Sequence, residues 1–333
     1  MWAGSTLGDT DNKTRGRMQP RHRLTALFGI SLFAFSATVP ADPLVQDEGA
    51  AARETPPYIR VEDILRHSRP EQLSLRSRVA LVWDDREGIP LYGRSIDEPR
   101  SIASITKLMT ALVILESGLP LDELIAVATE DRDTLKRTTS HLPVGTLLTR
   151  YDLLHAALAS SDNRAAAALG RTWPGGMAGF IQTMNDKAQQ LGMTRTRFAD
   201  PTGLLAGNVS TARDLVKLVA SARQHPLFRV LSTDGEFTIL DRASGHTIWM
   251  HNTNRLLRAE SSWDIRLSKT GYTSAAGRCL VMQTNVNGRP LTIVLLNSSG
   301  KLTRYGDVTR IRDWLLKAER RIPRLAAAPA TGG

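Results

Sequence analysis

The run from Ser104 to Leu115, S-I-T-K-L-M-T-A-L-V-I-L, is apolar on nearly every face of the helix it would form, and Gly118 and Pro120 close it. A helix with no broad polar face has no place on a surface, so other elements must surround it. A chain of 333 residues, 41% of them hydrophobic, has enough apolar surface to do so. The flanks supply the partners. Upstream, V-A-L-V-W-D-D-R-E-G-I-P-L-Y-G-R gives two short strand-like runs around D-R-E-G. From about 121 to 235 the pattern is mostly helical, as in Y-D-L-L-H-A-A-L-A and T-A-R-D-L-V-K-L-V-A-S-A. Strands then return: E-F-T-I-L and H-T-I-W-M flank D-R-A-S-G, and C-L-V-M-Q-T-N-V and L-T-I-V-L-L flank N-G-R-P. A last amphipathic helix covers T-R-Y-G-D-V-T-R-I-R-D-W-L-L-K-A. The plan is mixed α/β (α+β), with sheet from both chain ends and helices between them.

The first 41 residues read as an export signal. Arg21 and Arg23 precede the short apolar stretch L-T-A-L-F-G-I-S-L-F-A-F-S-A-T-V, and V-P-A at 39–41 offers small residues for cleavage after Ala41. Residues 1–17 are polar and long for such a start, which makes Met18 an alternative initiator; an uncleaved anchor is the competing reading. Either way the body is expected outside the cytoplasm, in the periplasm. Residues 42–76, rich in Pro, Glu, Ala and Arg without steady periodicity, are expected to form an arm or linker. One domain is expected over 77–319, followed by a disordered Ala/Pro/Gly tail over 320–333.

Net charge excludes less than its value suggests. Of the ten net positive charges, three fall in residues 1–41 and seven on the remainder, scattered rather than clustered. With aromatics at 5%, this pattern argues against nucleic acid as a partner and for attraction to an anionic wall or membrane surface. The single cysteine, Cys279, sits in the apolar run R-C-L-V-M-Q and reads as a small buried thiol. His141, His155, His225, His246 and His251 show no metal-ligand spacing, so no metal or other cofactor is expected. His155, on an Ala/Leu-rich helix, reads as a packed or capping residue.

Ser104 and Lys107 stand at i and i+3, which places hydroxyl and amine on one helical face within hydrogen-bonding reach. A lysine stripped of water can lose its proton near neutral pH and then take the serine's. Spacing alone is weak, since Ser298-Ser299-Gly300-Lys301 repeats it in a glycine turn after a strand. The first copy has company. In A-L-A-S-S-D-N-R-A-A-A-A, Ser161, Asp162 and Asn163 break two Ala-rich helical stretches; in R-L-S-K-T-G-Y-T, Lys269, Thr270 and Gly271 lie on a strand. A glycine inside a strand marks the close approach of another backbone or a ligand.

Serine–lysine on a helix, serine–asparagine on a turn and lysine–threonine–glycine on a strand, in that order, form the signature of penicillin-recognising serine enzymes. From about Arg78 to Asn297 the chain resembles the low-molecular-mass penicillin-binding proteins, the D-alanyl-D-alanine peptidase family. The likeness extends to R-S-I-A-S-I-T-K-L-M-T-A, F-A-D-P-T-G-L, H-N-T-N-R-L-L and K-T-G-Y-T-S-A-A-G-R-C-L-V-M-Q. It implies a β-lactamase/transpeptidase-like fold, an antiparallel sheet packed on a helical lobe with the active site between them. It also implies Ser104 as acyl-forming nucleophile, Lys107 as its base, Ser161 as proton relay to the leaving amine, and Asn163 as a partner of Lys107 and of substrate backbone. Lys269 and Thr270 would bind a D-amino acid's carboxylate, Gly271 would leave room for substrate to pair, and the N–H groups of Ser104 and Tyr272 would form the oxyanion hole.

The implied substrates are peptidoglycan stem peptides, with β-lactam antibiotics as covalent inhibitors. The short tail and the G-R-C-L-V-M-Q run resemble the endopeptidase branch, which cuts D-alanyl–diaminopimelate cross-links; a carboxypeptidase trimming pentapeptides is the alternative, and a non-catalytic penicillin-sensing or wall-binding protein a further one. Efficient antibiotic hydrolysis is not expected, because Glu236 and Glu260, the glutamates between Asn163 and Lys269, lack the E-x-x-x-N setting of a deacylating β-lactamase. His251 and Asn252 are expected to be structural, D-P-T-G at 200–203 a turn, and Arg278 either an aid to carboxylate binding or a surface ion-pair partner.

Overall fold

The computed structural model describes residues 58–257 and 262–322. The signal, residues 42–57 of the arm and residues 323–333 of the tail lie outside them.

The order of elements follows the sequence plan. Helix α1 (Val61–His67) leads into strands β1 (Ser77–Asp84) and β2 (Ile89–Arg94), then a two-residue strand β3 (Arg100–Ser101) and a 3-10 turn over Ala103–Thr106 that runs into helix α2 (Lys107–Glu116). The lobe comprises β4 (Leu124–Ala126), β5 (Leu147–Thr149), α3 (Arg150–Leu158), α4 (Asn163–Arg171), α5 (Gly176–Gln190), β6 (Val209–Ser210), α6 (Ala212–Ala222) and α7 (Pro226–Thr233). A hairpin of β7 (Glu236–Leu240) and β8 (Thr247–His251) precedes β9 (Asp264–Thr273), β10 (Gly277–Val286), β11 (Arg289–Ser298) and α8 (Thr303–Arg321).

The main sheet has the order β2-β1-β11-β10-β9, every pairing antiparallel, so strands from both ends of the chain lie side by side. Its central strands are apolar on both faces because both faces are covered. Val79 and Leu81 of β1, with Val281 and Val294, join the core shared with the lobe. Ala80 and Val82, with Leu280, Met282 and Ile293, pack beneath α1 and α8. Alternate residues of one strand therefore serve two cores.

Within the lobe, α2 is the hub that its sequence demanded. Lys107 to Ile114 are all buried, and α3, α4, α5 and α6 surround the helix. Local signals fix the starts of these neighbours: Thr149 caps α3 in a reciprocal box with Asp152, Asp162 accepts from Ala165 N at the start of α4, Thr211 from Asp214 N at α6, and Pro226 opens α7.

The stretch expected as an arm is ordered from residue 58. Val61 and Ile64 are fully buried against the outer face of the sheet. The guanidinium of Arg289 is paired with Asp84 and donates to the Ile59 carbonyl, while Tyr58 Oη donates to Asp84 at 2.8 Å and Val61 N to Glu87 at 2.7 Å. Its four apolar anchors, Val61, Ile64, Leu73 and Leu75, are spread through a polar stretch with no steady period, and the partners lie far along the chain. At the other end α8 runs to Arg321, two residues past the expected boundary; Arg320 and Arg321 suit the negative end of its dipole.

Candidate active site

The cleft lies where the 3-10 turn, the α3–α4 junction and β9 meet. Ser104 sits on the 3-10 turn rather than on α2 itself, with Lys107 the first residue of α2. The tighter turn keeps the i, i+3 relation, and Lys107 Nζ lies 3.1 Å from Ser104 Oγ. The ammonium nitrogen is fully buried and has two further partners, Asn163 Oδ1 at 2.7 Å and the Thr202 carbonyl at 2.7 Å. Burial pulls the Lys107 pKa down to about 8, against the opposing pull of Asp200, Asp162 and Asp133, none of which touches the amine.

The turn bearing Ser104 is wedged in place. Ala103 has φ +49°, a left-handed conformation that costs an alanine about 1 kcal/mol or more. Two glycines hold it there. A Cβ on Gly203, itself at φ +85°, would lie 2.0 Å from the Ala103 carbonyl oxygen. One on Gly271 would lie 3.0 Å from the Ile102 oxygen and 3.1 Å from Ser104 N. On the side its Cβ would occupy, Gly271 thus meets the serine's own turn, and that packing is what its lack of a side chain permits. Asp200 shapes the turn containing Gly203: its carboxylate accepts from Thr202 N, Thr202 Oγ1, Gly203 N, Leu205 N and Asn208 Nδ2. Burial alone would raise the Asp200 pKa, but these hydrogen bonds outweigh it and lower it.

Ser161 occupies the α3–α4 turn in a left-handed conformation, φ +60°. Asp162, next to it, caps α4 and accepts from Ser140 Oγ at 2.8 Å and His141 N at 3.1 Å, tying down the loop before β5. Asn163 donates to Thr138 Oγ1 at 2.8 Å, which directs its carbonyl oxygen to Lys107. Among the described residues, the Ser161 hydroxyl takes no part in the Lys107 set.

The opposite wall is β9, an edge strand of the main sheet, with one row of main-chain groups unpaired by the sheet. Lys269 is 1% exposed and donates to the Thr270 carbonyl at 3.1 Å; burial, then the nearby Lys107, push its pKa well down. Thr270 Oγ1 donates to Thr253 Oγ1 at 2.7 Å, which ties the strand to the segment after β8. Tyr272 is exposed, with the Arg278 guanidinium stacked 4.4 Å from its ring centre; among the described residues Arg278 has no ion-pair partner.

The structure therefore brings Ser104 and Asn163 each into contact with Lys107 and sets Lys269–Tyr272 opposite them. Motif reading missed the main-chain acceptor at Thr202, because a carbonyl leaves no trace in residue type, and the supporting hydroxyls of Thr138 and Thr253. The D-P-T-G turn was the one available signal. Elsewhere His155 stacks on Phe237 at 3.6 Å in the lobe, and Cys279 is buried with its thiol pushed up to about 11 by that burial, so neither contributes a reactive group. The second serine–lysine copy forms no such site: Ser298 Oγ pairs with Ser77 Oγ at 2.6 Å and Lys301 is exposed.

Comparison with known proteins agrees with this geometry. The profile of the D-alanyl-D-alanine carboxypeptidase family, peptidase S11, matches residues 66–300. The D-alanyl-D-alanine endopeptidase of Pseudomonas aeruginosa is 47% identical over 246 residues, 74% of this chain and 79% of the relative. That of Escherichia coli is 41% identical over 290 residues, 86% and 88% of the two chains. Among solved structures, the DD-transpeptidase of Streptomyces K15 is 28% identical with a TM-score of 0.67, covering 73% of this chain and 98% of its own. Penicillin-binding protein D2 from Listeria monocytogenes, solved in its cefotaxime-bound form, is 28% identical with a TM-score of 0.63 over the same shares. The chain belongs to the D-alanyl-D-alanine carboxypeptidase family, the S11 serine peptidases.

Proposed function

We propose that the protein is an exported serine DD-peptidase that cleaves D-alanyl–diaminopimelate cross-links of peptidoglycan through an acyl-enzyme on Ser104. The observation that carries this reading is the environment of Lys107. A neutral amine has two hydrogens and one lone pair. Asn163 Oδ1 and the Thr202 carbonyl, both acceptors at 2.7 Å, take the hydrogens, and the lone pair is left for the Ser104 hydroxyl at 3.1 Å. With a pKa of about 8, a usable share of Lys107 is neutral near pH 7.

Lys107 takes the Ser104 proton as Oγ attacks the D-alanyl carbonyl carbon, and the N–H groups of Ser104 and Tyr272 receive the developing oxyanion. The proton passes by way of Ser161 to the departing amine. Water then attacks the ester carbon, with Lys107 again as base, and Ser104 Oγ leaves with a proton. Lys269 and Thr270 take the carboxylate on the carbon that bears the scissile amide nitrogen. A buried lysine with one main-chain acceptor gains most from such an anion, since the carboxylate supplies the charge partner that burial denies it. Diaminopimelate in a cross-link carries that carboxylate, as does the terminal residue of a pentapeptide.

The names of the Pseudomonas and Escherichia relatives favour the endopeptidase activity. Trimming of pentapeptides is the second reading, favoured by the description of the matched family. The export signal read in residues 1–41 agrees with a periplasmic substrate. β-Lactams, which present a strained amide beside a carboxylate, are expected to acylate Ser104. Purified protein incubated with cross-linked muropeptide dimers tests the proposal. Release of monomers is expected; their absence sinks the endopeptidase reading, and their persistence after Ser104→Ala sinks the mechanism.

A further inference from the structure

We infer that Trp249, His251 and His141 form a ledge that holds the amine-side strand of the cross-link, the part a single D-alanine leaving group lacks. The inference rests on the proposed carboxylate site. If the substrate carboxylate goes to Lys269 and Thr270, the residue bearing the scissile nitrogen lies against β9 at that point. Thr270 Oγ1 is bonded to Thr253 Oγ1 at 2.7 Å, two residues beyond the end of β8. Thr253 N donates to the Ala159 carbonyl, and Ser160 Oγ to the His251 carbonyl at 2.8 Å. The 251–253 segment and the Ser161 turn are thus stitched together beside the residues proposed to take the carboxylate.

The surface at that seam is aromatic. The Trp249 and His251 rings are 5.4 Å apart, and His251 and His141 meet edge to face at 6.0 Å. His141 is fixed beside Ser161, because its N–H donates to Asp162 at 3.1 Å. Trp249 and His251 stand two apart on β8 and so share one face of the hairpin. Trp249 is 55% exposed, which leaves its ring free for a ligand, while Met250 behind it fills the lobe core.

A chain of methylenes fits such a ledge. In cross-linked diaminopimelate the carbon at the cut is joined by three CH2 groups to the carbon carrying the rest of the second stem. Laid along Trp249, that tether covers apolar surface; the exposed His141 at the inner end offers its ring to polar groups of the stem. A free D-alanine reaches none of this. The ledge therefore adds to transition-state binding for cross-links and nothing for pentapeptides.

Trp249→Ala tests the inference, and the ring's exposure means its removal leaves the fold intact. The expected result is a fall of about tenfold in kcat/KM on muropeptide dimers, the effect of uncovering roughly two methylenes, with D-alanine release from pentapeptide and acylation by a fluorescent penicillin unchanged. His141→Ala is expected to give a smaller loss on dimers alone. Equal losses on dimer and pentapeptide, or no loss on either, overturn the ledge. A binding arm separates this outcome from failure of the proposed activity: on a Ser104→Ala background, Trp249→Ala is expected to weaken dimer binding about tenfold by calorimetry, by the same two-methylene measure, without changing monomer binding. If the native chain leaves dimers intact but that difference is present, the endopeptidase reading falls and the ledge stands; if the difference is absent, the ledge falls.

Discussion

Two stretches of this chain carry a serine followed three residues later by a lysine, at 104–107 and at 298–301, and their surroundings could hardly differ more. At the first, the amine is sealed from water among two carbonyl acceptors and the serine hydroxyl, and the serine turn is wedged between two glycines. At the second, the serine is the buried partner, hydrogen-bonded to Ser77, which in turn donates to Asp307 at 2.5 Å; the lysine stands in solvent. The first arrangement lowers the cost of moving a proton. The second fastens β11 to β1 and α8. Spacing sets which atoms can meet; burial and the set of acceptors decide what happens when they do.

The comparison breaks most sharply at the serines. Ser104→Ala is expected to abolish penicillin acylation and to cut hydrolysis by at least about 10⁴-fold, because the nucleophile acts as one unit with its base. If Ser298→Ala did the same, the distinction between the two copies would collapse. The wedge is the next test. Gly203→Ala puts a methyl group 2.0 Å from the Ala103 carbonyl oxygen, at a φ that alanine resists; an acylation rate lower by roughly 100-fold is expected, since a misplacement of about 1 Å carries such a loss. A lower melting temperature should accompany it.

The pH profile sharpens the role of burial. Lys107 acts as a base only when neutral, so kcat/KM is expected to rise with pH, reach half of its plateau near pH 8 and level off above it. Asp200 opposes the burial shift, so removing its charge lowers the Lys107 pKa further. Asp200→Asn should move the limb to lower pH. It should also lower the plateau about tenfold, through loss of the turn that aims the Thr202 carbonyl. An unmoved limb would mean that Asp200 is felt only through geometry. Smallest of all, Ser298→Ala is expected to cost about 1 kcal/mol of stability, the price of one hydrogen bond, and Lys301→Ala less than about 0.5 kcal/mol, both with full activity.

Much of this site was legible in the residues because side-chain chemistry and local pattern coincide there. The apolar circumference of 105–115 announced a buried hub, and the Ser161–Asn163 and Lys269–Gly271 stretches fell in the expected turn and strand. The acceptor at Thr202 was not legible, since any residue supplies a carbonyl. Nor was the reason for Gly271: a strand glycine announces a close neighbour without saying that it is the serine's own backbone. The order of residues 58–76 was hidden too, because Val61 and Ile64 pack on a helix more than two hundred residues away, and no local pattern encodes such a partner.

The wedge also has a consequence for when the serine becomes reactive. Gly203 and β9 are synthesised long after Ser104, and until both have docked, the turn is unsupported and Lys107 lies open to water. An open lysine keeps its proton at neutral pH, and the serine beside it is an ordinary alcohol. A chain in transit, or one cut short before residue 271, therefore carries both residues of the pair but no activated nucleophile. The peptidase is its own proofreader: completion of the fold is the event that arms it.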